Sequence, residues 1–64
     1  MHTFLIRLER KSETGDLLSM WLRSATPQAR WGPRDSAMTF ETIGDARRMA
    51  RAAKIGGGWY VEPK

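Results

Sequence analysis

Residues 3–25 read TFLIRLERKSETGDLLSMWLRSA, a stretch in which two apolar segments flank a polar run. Two segments rich in β-forming residues, 3–10 and 17–25, flank the polar run 11–16, which contains Gly15 and Asp16. Alternating apolar residues are typical of strands, and a short polar run with Gly and Asp is typical of a turn. The stretch therefore predicts a β-hairpin.

The apolar pattern of the hairpin also predicts how its two strands pair. The apolar sets are Phe4, Ile6 and Leu8 in the first strand and Leu18, Met20 and Leu22 in the second. Because a one-residue slip would turn one set into water, both sets are expected on the same side of the sheet. Leu8 should then lie opposite Leu18 or Met20, and Ile6 opposite Met20 or Leu22.

The remaining elements follow from turn residues and from periodicity. Residues 26–36, which contain Pro27, Gly32 and Pro33, are expected to be irregular. AMTF (37–40) is predicted to be a short third strand, and WYVE (59–62) a last one that Pro63 stops.

A single helix is predicted between these last two strands. Thr42 is its expected N-cap, with Asp45 in the first turn and Gly56 just beyond its end. The predicted apolar stripe of the helix consists of Ile43, Ala46, Met49, Ala50 and Ala53.

These elements predict an α+β fold in the order β-β-β-α-β. A small antiparallel sheet of three to four strands should carry one helix packed on one face, as a single compact domain over residues 1–64. One helix covers only one side of a sheet, so the other side is expected to stay open unless something binds it. We expect the open side to include Leu5, Arg7, Trp21 and Arg23, together with Tyr60 or Trp59.

Composition argues against catalysis and metal binding. The chain has no cysteine, and its single histidine is His2. Nucleophilic catalysis needs a base beside the nucleophile, and a closed metal site needs several ligands, so neither is expected. The acidic residues are scattered along the chain, and the glycines of KIGGGW (54–59) follow a helix rather than preceding one, which is the wrong order for a phosphate loop. We expect a protein that is not an enzyme and that has no cofactor.

The N-terminal sequence contains neither a signal-peptide core nor an apolar run long enough to span a membrane. A soluble cytoplasmic protein is the expectation. The net charge of +4 favours an anionic partner, although such a charge also serves solubility.

Two surfaces are candidates for binding. The first is the helix, where Arg47, Arg51 and Lys54 are spaced at i, i+4 and i+7 with Arg48 beside them. Such a row could contact phosphates, but cations near a helix C-terminus are also stabilising in themselves.

The second candidate surface is the open sheet face, where Leu5, Arg7, Trp21, Arg23 and Tyr60 could anchor a partner. Alternatively, Trp21 lies flat over Leu5 or is covered by the 26–36 loop. Trp31 in that loop is either an anchor folded inward or an exposed recognition residue.

The segments AMTFETIGDARRMARAA and GGWYVEP resemble small phage- and prophage-encoded proteins of β-β-β-α-β order. Their A-x-x-F-x-T-x-x-x-A element is matched by Ala37, Phe40, Thr42 and Ala46. The resemblance implies an accessory protein that acts by binding, as small phage inhibitors of host defence complexes do, anti-CRISPR proteins among them.

Three hypotheses for the partner follow. The leading one is a larger host protein or ribonucleoprotein that is bound through the sheet face. The alternatives are direct nucleic-acid binding through the helix cations, and a homodimer that pairs two open faces.

Overall fold

The computed structural model describes residues 3–64. Its elements are β1 (Phe4–Lys11), β2 (Leu17–Ser24), β3 (Arg30–Gly32), a 3-10 turn (Arg34–Ser36), α1 (Ile43–Ala52) and β4 (Trp59–Pro63). Met1 and His2 lie outside the described residues. The prediction that His2 takes part in no catalytic site therefore concerns a residue outside them. The strands form one antiparallel sheet in the order β3-β2-β1-β4 with the helix on one side, which confirms the predicted α+β fold.

The hairpin pairs in the predicted register. Leu8 lies opposite Met20, and Arg7 lies opposite Trp21. The turn between the strands is held by a backbone hydrogen bond from the Ser12 N–H to the Asp16 carbonyl, and Gly15 adopts a positive φ of 89°. Glycine adopts this conformation without a steric cost, which explains why the polar run reverses the chain here.

The third strand is not where the sequence analysis placed it. It consists of Arg30–Gly32, inside the predicted irregular stretch, and Leu22 pairs with Trp31. Residues 37–40 form no strand of the sheet, although Phe40 makes an isolated antiparallel bridge with Phe4. Pro27, Pro33 and the shift of register after Leu22 confine β3 to an edge, which is where proline and bulges are tolerated.

The helix packs its alanine face on β1 and β4. Ala46 and Ala50 are buried, and together with Ile6, Leu22, Ala25 and Phe40 they form the core. Small side chains on the inner face let the helix backbone approach the sheet closely. Ile43, which was predicted on the apolar stripe, is instead 45% exposed at the first helical position.

The helix begins as predicted and ends earlier. The Thr42 hydroxyl accepts a hydrogen bond of 3.0 Å from the Asp45 N–H. The helix ends at Ala52, and Lys54, rather than Gly56, takes the left-handed conformation with φ 55°. The N–H groups of Lys54 and Ile55 donate to the carbonyls of Arg51 and Ala50, so two helix-end carbonyls are satisfied by a Schellman motif.

Among residues 3–64, none of the helical structure is long and apolar enough to cross a membrane.

Candidate functional site: the sheet face opposite the helix

The side of the sheet that the helix leaves uncovered carries a cluster of polar and aromatic side chains. Strand alternation and the observed register place Arg7 between Trp21 on β2 and Tyr60 on β4. We call Arg7, Glu9, Trp21, Tyr60 and Glu62 the sheet-face cluster. The orientation of β4, which the sequence left open, is thereby defined: Tyr60 lies on this face, and Trp59 packs against the core on the other side.

Arg7 is the centre of the sheet-face cluster. Its guanidinium carbon lies 5.6 Å from the ring centroid of Trp21 and 5.6 Å from that of Tyr60. Both distances are within the range of cation–π attraction. Arg7 also donates to the Ser19 hydroxyl at 2.9 Å.

The two carboxylates of the cluster hold the arginine and the rings together. Glu9 lies 3.1 Å from an Arg7 nitrogen and accepts a 2.6 Å hydrogen bond from the Tyr60 hydroxyl. Glu62 accepts from the Trp21 indole N–H at 2.5 Å and pairs with Arg7 at 3.5 Å. Each ring is therefore tied through its own polar atom to a carboxylate that also contacts Arg7.

The hydrogen bond to Glu9 raises the pKa of Tyr60 above its usual value of 10.0, and desolvation adds to this effect. The positive charge of Arg7 acts in the opposite direction. The phenol is thus kept as a hydrogen-bond donor over a wider pH range than a free tyrosine.

One end of this face is covered by the chain itself, which corrects the expectation that the whole face stays open. The 3-10 turn packs against β2, and Arg34 reaches across β1 to β4, where it lies 3.7 Å from Glu62 and donates to the Pro63 carbonyl at 3.3 Å. Leu5, whose register partner is Glu62, is fully buried. Leu5 therefore supports the fold and offers no contact to a partner.

The rest of the face is accessible. Tyr60 is 40% exposed, Trp21 and Arg7 are half-buried, and Arg23 is exposed. Leu17 lies on the same face at the hairpin end and is 67% exposed. Four of the five predicted anchors are thus brought together at a surface. Glu9, Glu62 and Leu17 also lie there but were not among the predicted anchors, although alternation places Glu9 and Leu17 on this face.

Trp31 is an inward anchor rather than an exposed recognition residue. It is half-buried and packs against the core on the helix side of the sheet. The 26–36 loop does cover part of the sheet-face side, but it does so through Arg34 and not through Trp31.

The predicted row of helix cations is only partly present. Arg47 and Arg51 are exposed on the helix, whereas Arg48 lies 3.5 Å from Asp45 in an ion pair. Lys54 lies beyond the helix end in a left-handed conformation, so it does not continue the i, i+4, i+7 row. The predicted spacing does not hold because the helix ends at Ala52, two residues before Lys54.

Among residues 3–64, no group of three or more histidines, cysteines or acids could hold a metal ion. No family model, curated protein or solved structure matches this chain. Its function must be inferred from its own surfaces.

Proposed function

We propose that the protein is a non-enzymatic interaction protein of the phage accessory type. It binds a larger host protein, or a protein within a nucleoprotein complex, through the uncovered sheet face. Trp21, Tyr60 and Arg7 form the centre of the contact, and Arg23 and Leu17 extend it.

The observation that supports this proposal best is the immobilisation of Arg7 between two aromatic rings. Tryptophan, tyrosine and arginine are the residue types that dominate binding energy at protein interfaces. Side chains that are already ordered lose less conformational entropy when a partner binds. The carboxylates of Glu9 and Glu62 provide that order, since they hold both rings and the guanidinium.

The charges at the border of the cluster favour an acidic partner over a second copy of the chain. Arg23 is exposed, and the side chain of Arg34 is 45% exposed, whereas those of Glu9 and Glu62 are 33% and 18% exposed. Two copies packed face to face would bury more arginines than glutamates at their interface, and an excess of like charges there is unfavourable.

The experiment is affinity capture from lysate of the host cell, with and without nuclease, using the wild-type chain and Tyr60→Ala as baits. We expect a protein that the wild type retains after nuclease treatment and that Tyr60→Ala retains poorly. Capture that disappears completely after nuclease treatment would contradict a protein partner.

Direct nucleic-acid binding is a second candidate function. It is favoured by Arg47 and Arg51, which are exposed on the helix and make no ion pair within residues 3–64. This function predicts affinity for generic DNA or RNA that falls steeply with salt, because phosphate binding releases counterions. Fluorescence anisotropy with a labelled oligonucleotide at several salt concentrations tests it, and an affinity that does not depend on salt would exclude it.

A further inference from the structure

A groove on the helix side of the sheet is separate from the sheet-face cluster. It lies where the chain leaves the helix, and its volume is about 140 Å³. Its apolar wall includes Leu8, Trp31 and Ile55, and two cations, Arg10 and Lys54, also line it. We call this site the helix-end groove.

The groove exists because the helix covers only part of its side of the sheet. The helix packs on β1 and β4, whereas β2 and β3 lie on the other side of β1. The Schellman turn then directs the chain away through Lys54 and Ile55. Apolar surface continues from the groove along β2, where Met20 lies opposite Leu8 and the 49% exposed Leu18 lies opposite Arg10.

We propose that the helix-end groove binds an acidic segment of a partner protein by taking up one aromatic or large aliphatic side chain between carboxylates. The volume matches such a side chain, since an apolar cavity of roughly 150 Å³ can hold benzene. This site is independent of the sheet-face cluster.

Charge complementarity indicates that the groups on either side of the bound side chain, in the partner segment, are acidic. Arg10 and Lys54 are exposed and form no ion pair within residues 3–64, and no aspartate or glutamate lines the groove. The C-terminal end of a helix carries partial negative charge. The attraction for carboxylates must therefore come from these two cations, which makes their charge the feature to change.

The lining favours a peptide side chain over a nucleotide base. The lining side chains carry hydrogen-bond donors, on Arg10, Lys54 and the Trp31 indole, but no hydrogen-bond acceptor, and the remaining lining side chains are apolar or absent. A base buried there would leave its N–H groups without a side-chain acceptor, which is costly. A phenyl or isobutyl group has no such atoms.

The test is an NMR titration of the ¹⁵N-labelled chain with a short peptide that carries one phenylalanine among aspartates and glutamates. We expect the largest shifts at the Trp31 indole N–H and at the amides of residues 8–10 and 53–57. The same peptide with serine in place of phenylalanine should bind at least about tenfold more weakly, because it leaves the groove unfilled.

Two double variants separate the groove from general electrostatics. Arg10→Glu/Lys54→Glu should weaken peptide binding at least about tenfold. Arg47→Glu/Lys64→Glu changes the net charge equally at sites outside the groove and should change the affinity less than about twofold. Amide spectra of both variants confirm that they are folded, and Tyr60→Ala should bind the peptide as the wild type does.

Three results would overturn the proposal. The first is no binding of the phenylalanine peptide at millimolar concentration. The second is an equal loss of affinity in both double variants. The third is an oligonucleotide that shifts the same groove signals at a lower concentration than the peptide.

Discussion

Tyr60 is the single tyrosine of the chain, so its ionisation can be followed without interference from another phenol. Its pKa is raised, first because its hydroxyl donates to Glu9. We expect the tyrosinate absorbance of the folded protein to appear at higher pH than that of the chain in denaturant. Glu9→Gln should move the folded midpoint towards the denatured value, and equal midpoints for the folded and denatured wild type would contradict the hydrogen bond.

The same shift predicts how stability depends on pH. A phenol whose folded pKa exceeds its unfolded value of 10.0 stabilises the fold fully below pH 10. That contribution is lost as the pH rises through the folded pKa. Urea unfolding between pH 9 and pH 11 should therefore show a fall in the free energy of unfolding that is smaller in Tyr60→Phe.

Glu62 contacts three side chains of the sheet-face side: Trp21, Arg7 and Arg34. Glu62→Ala leaves the half-buried indole N–H of Trp21 without its acceptor and removes one of the two carboxylates that pair with Arg7. We expect a loss of about 1–2 kcal/mol in the free energy of unfolding, measured with urea. Glu13→Ala, in the exposed hairpin turn, is the matched control and should change stability by less than about 0.5 kcal/mol. Equal effects of both substitutions would show that Glu62 does not organise the cluster.

At the end of the helix, Lys54 adopts a backbone conformation that is unfavourable for a residue other than glycine. Lys54 has a φ of 55°, where a Cβ atom is sterically unfavourable. Lys54→Gly removes that strain but makes the unfolded chain more flexible. The net expectation is a gain of about 0.5–1 kcal/mol in thermal or urea unfolding.

Gly58→Ala removes a glycine from the same segment between α1 and β4, where Lys54→Gly introduces one. Gly58 has a φ of 94°, and an added Cβ would lie 3.5 Å from the Glu9 carbonyl oxygen. The added Cβ has enough space, but alanine is strained at this positive φ. The free energy of unfolding should therefore fall by at least about 1 kcal/mol. A loss of stability in Lys54→Gly would contradict the left-handed helix end.

The elements differ in how far the sequence could predict them. The hairpin register was predicted because two apolar sets had to face the same core, and the Thr42 cap because its hydroxyl satisfies a local N–H. The strand Arg30–Gly32 was missed because it is fixed by pairing with β2 and by the inward packing of Trp31. Those contacts outweigh the local signal of Pro27, Gly32 and Pro33.

The same distinction applies to the candidate site. Alternation placed Arg7, Trp21 and Arg23 on one face, and it could also have included Glu62, which lies two residues after Tyr60 in the same strand. Alternation does not predict that Leu5 is buried, nor that Arg34 of the 3-10 turn contacts Glu62 and Pro63 on β4, because those partners are distant in sequence. The helix-end groove likewise depends on the left-handed turn at Lys54, which a regular helical pattern does not reveal.

At the scale of the whole molecule, the uncovered face could pair with a second copy. The exposed cations Arg23 and Arg34 oppose that arrangement, so we expect a monomer of 7.3 kDa in light scattering at micromolar concentration. A mass of twice this value that Tyr60→Ala reduces would instead assign the face to self-association.

The proposed binding of a host protein through the sheet face is tested by comparing two double variants for nuclease-resistant capture of the same partner. Arg23→Glu/Tyr60→Ala changes an exposed cation and an exposed apolar residue on the sheet face. Arg47→Glu/Ile43→Ala makes matched changes on the helix.

We expect the sheet-face variant to capture at least about tenfold less partner than the wild type, and the helix variant to capture as much as the wild type. Full capture of the partner by the sheet-face variant, or loss of capture only in the helix variant, would contradict binding through the sheet face.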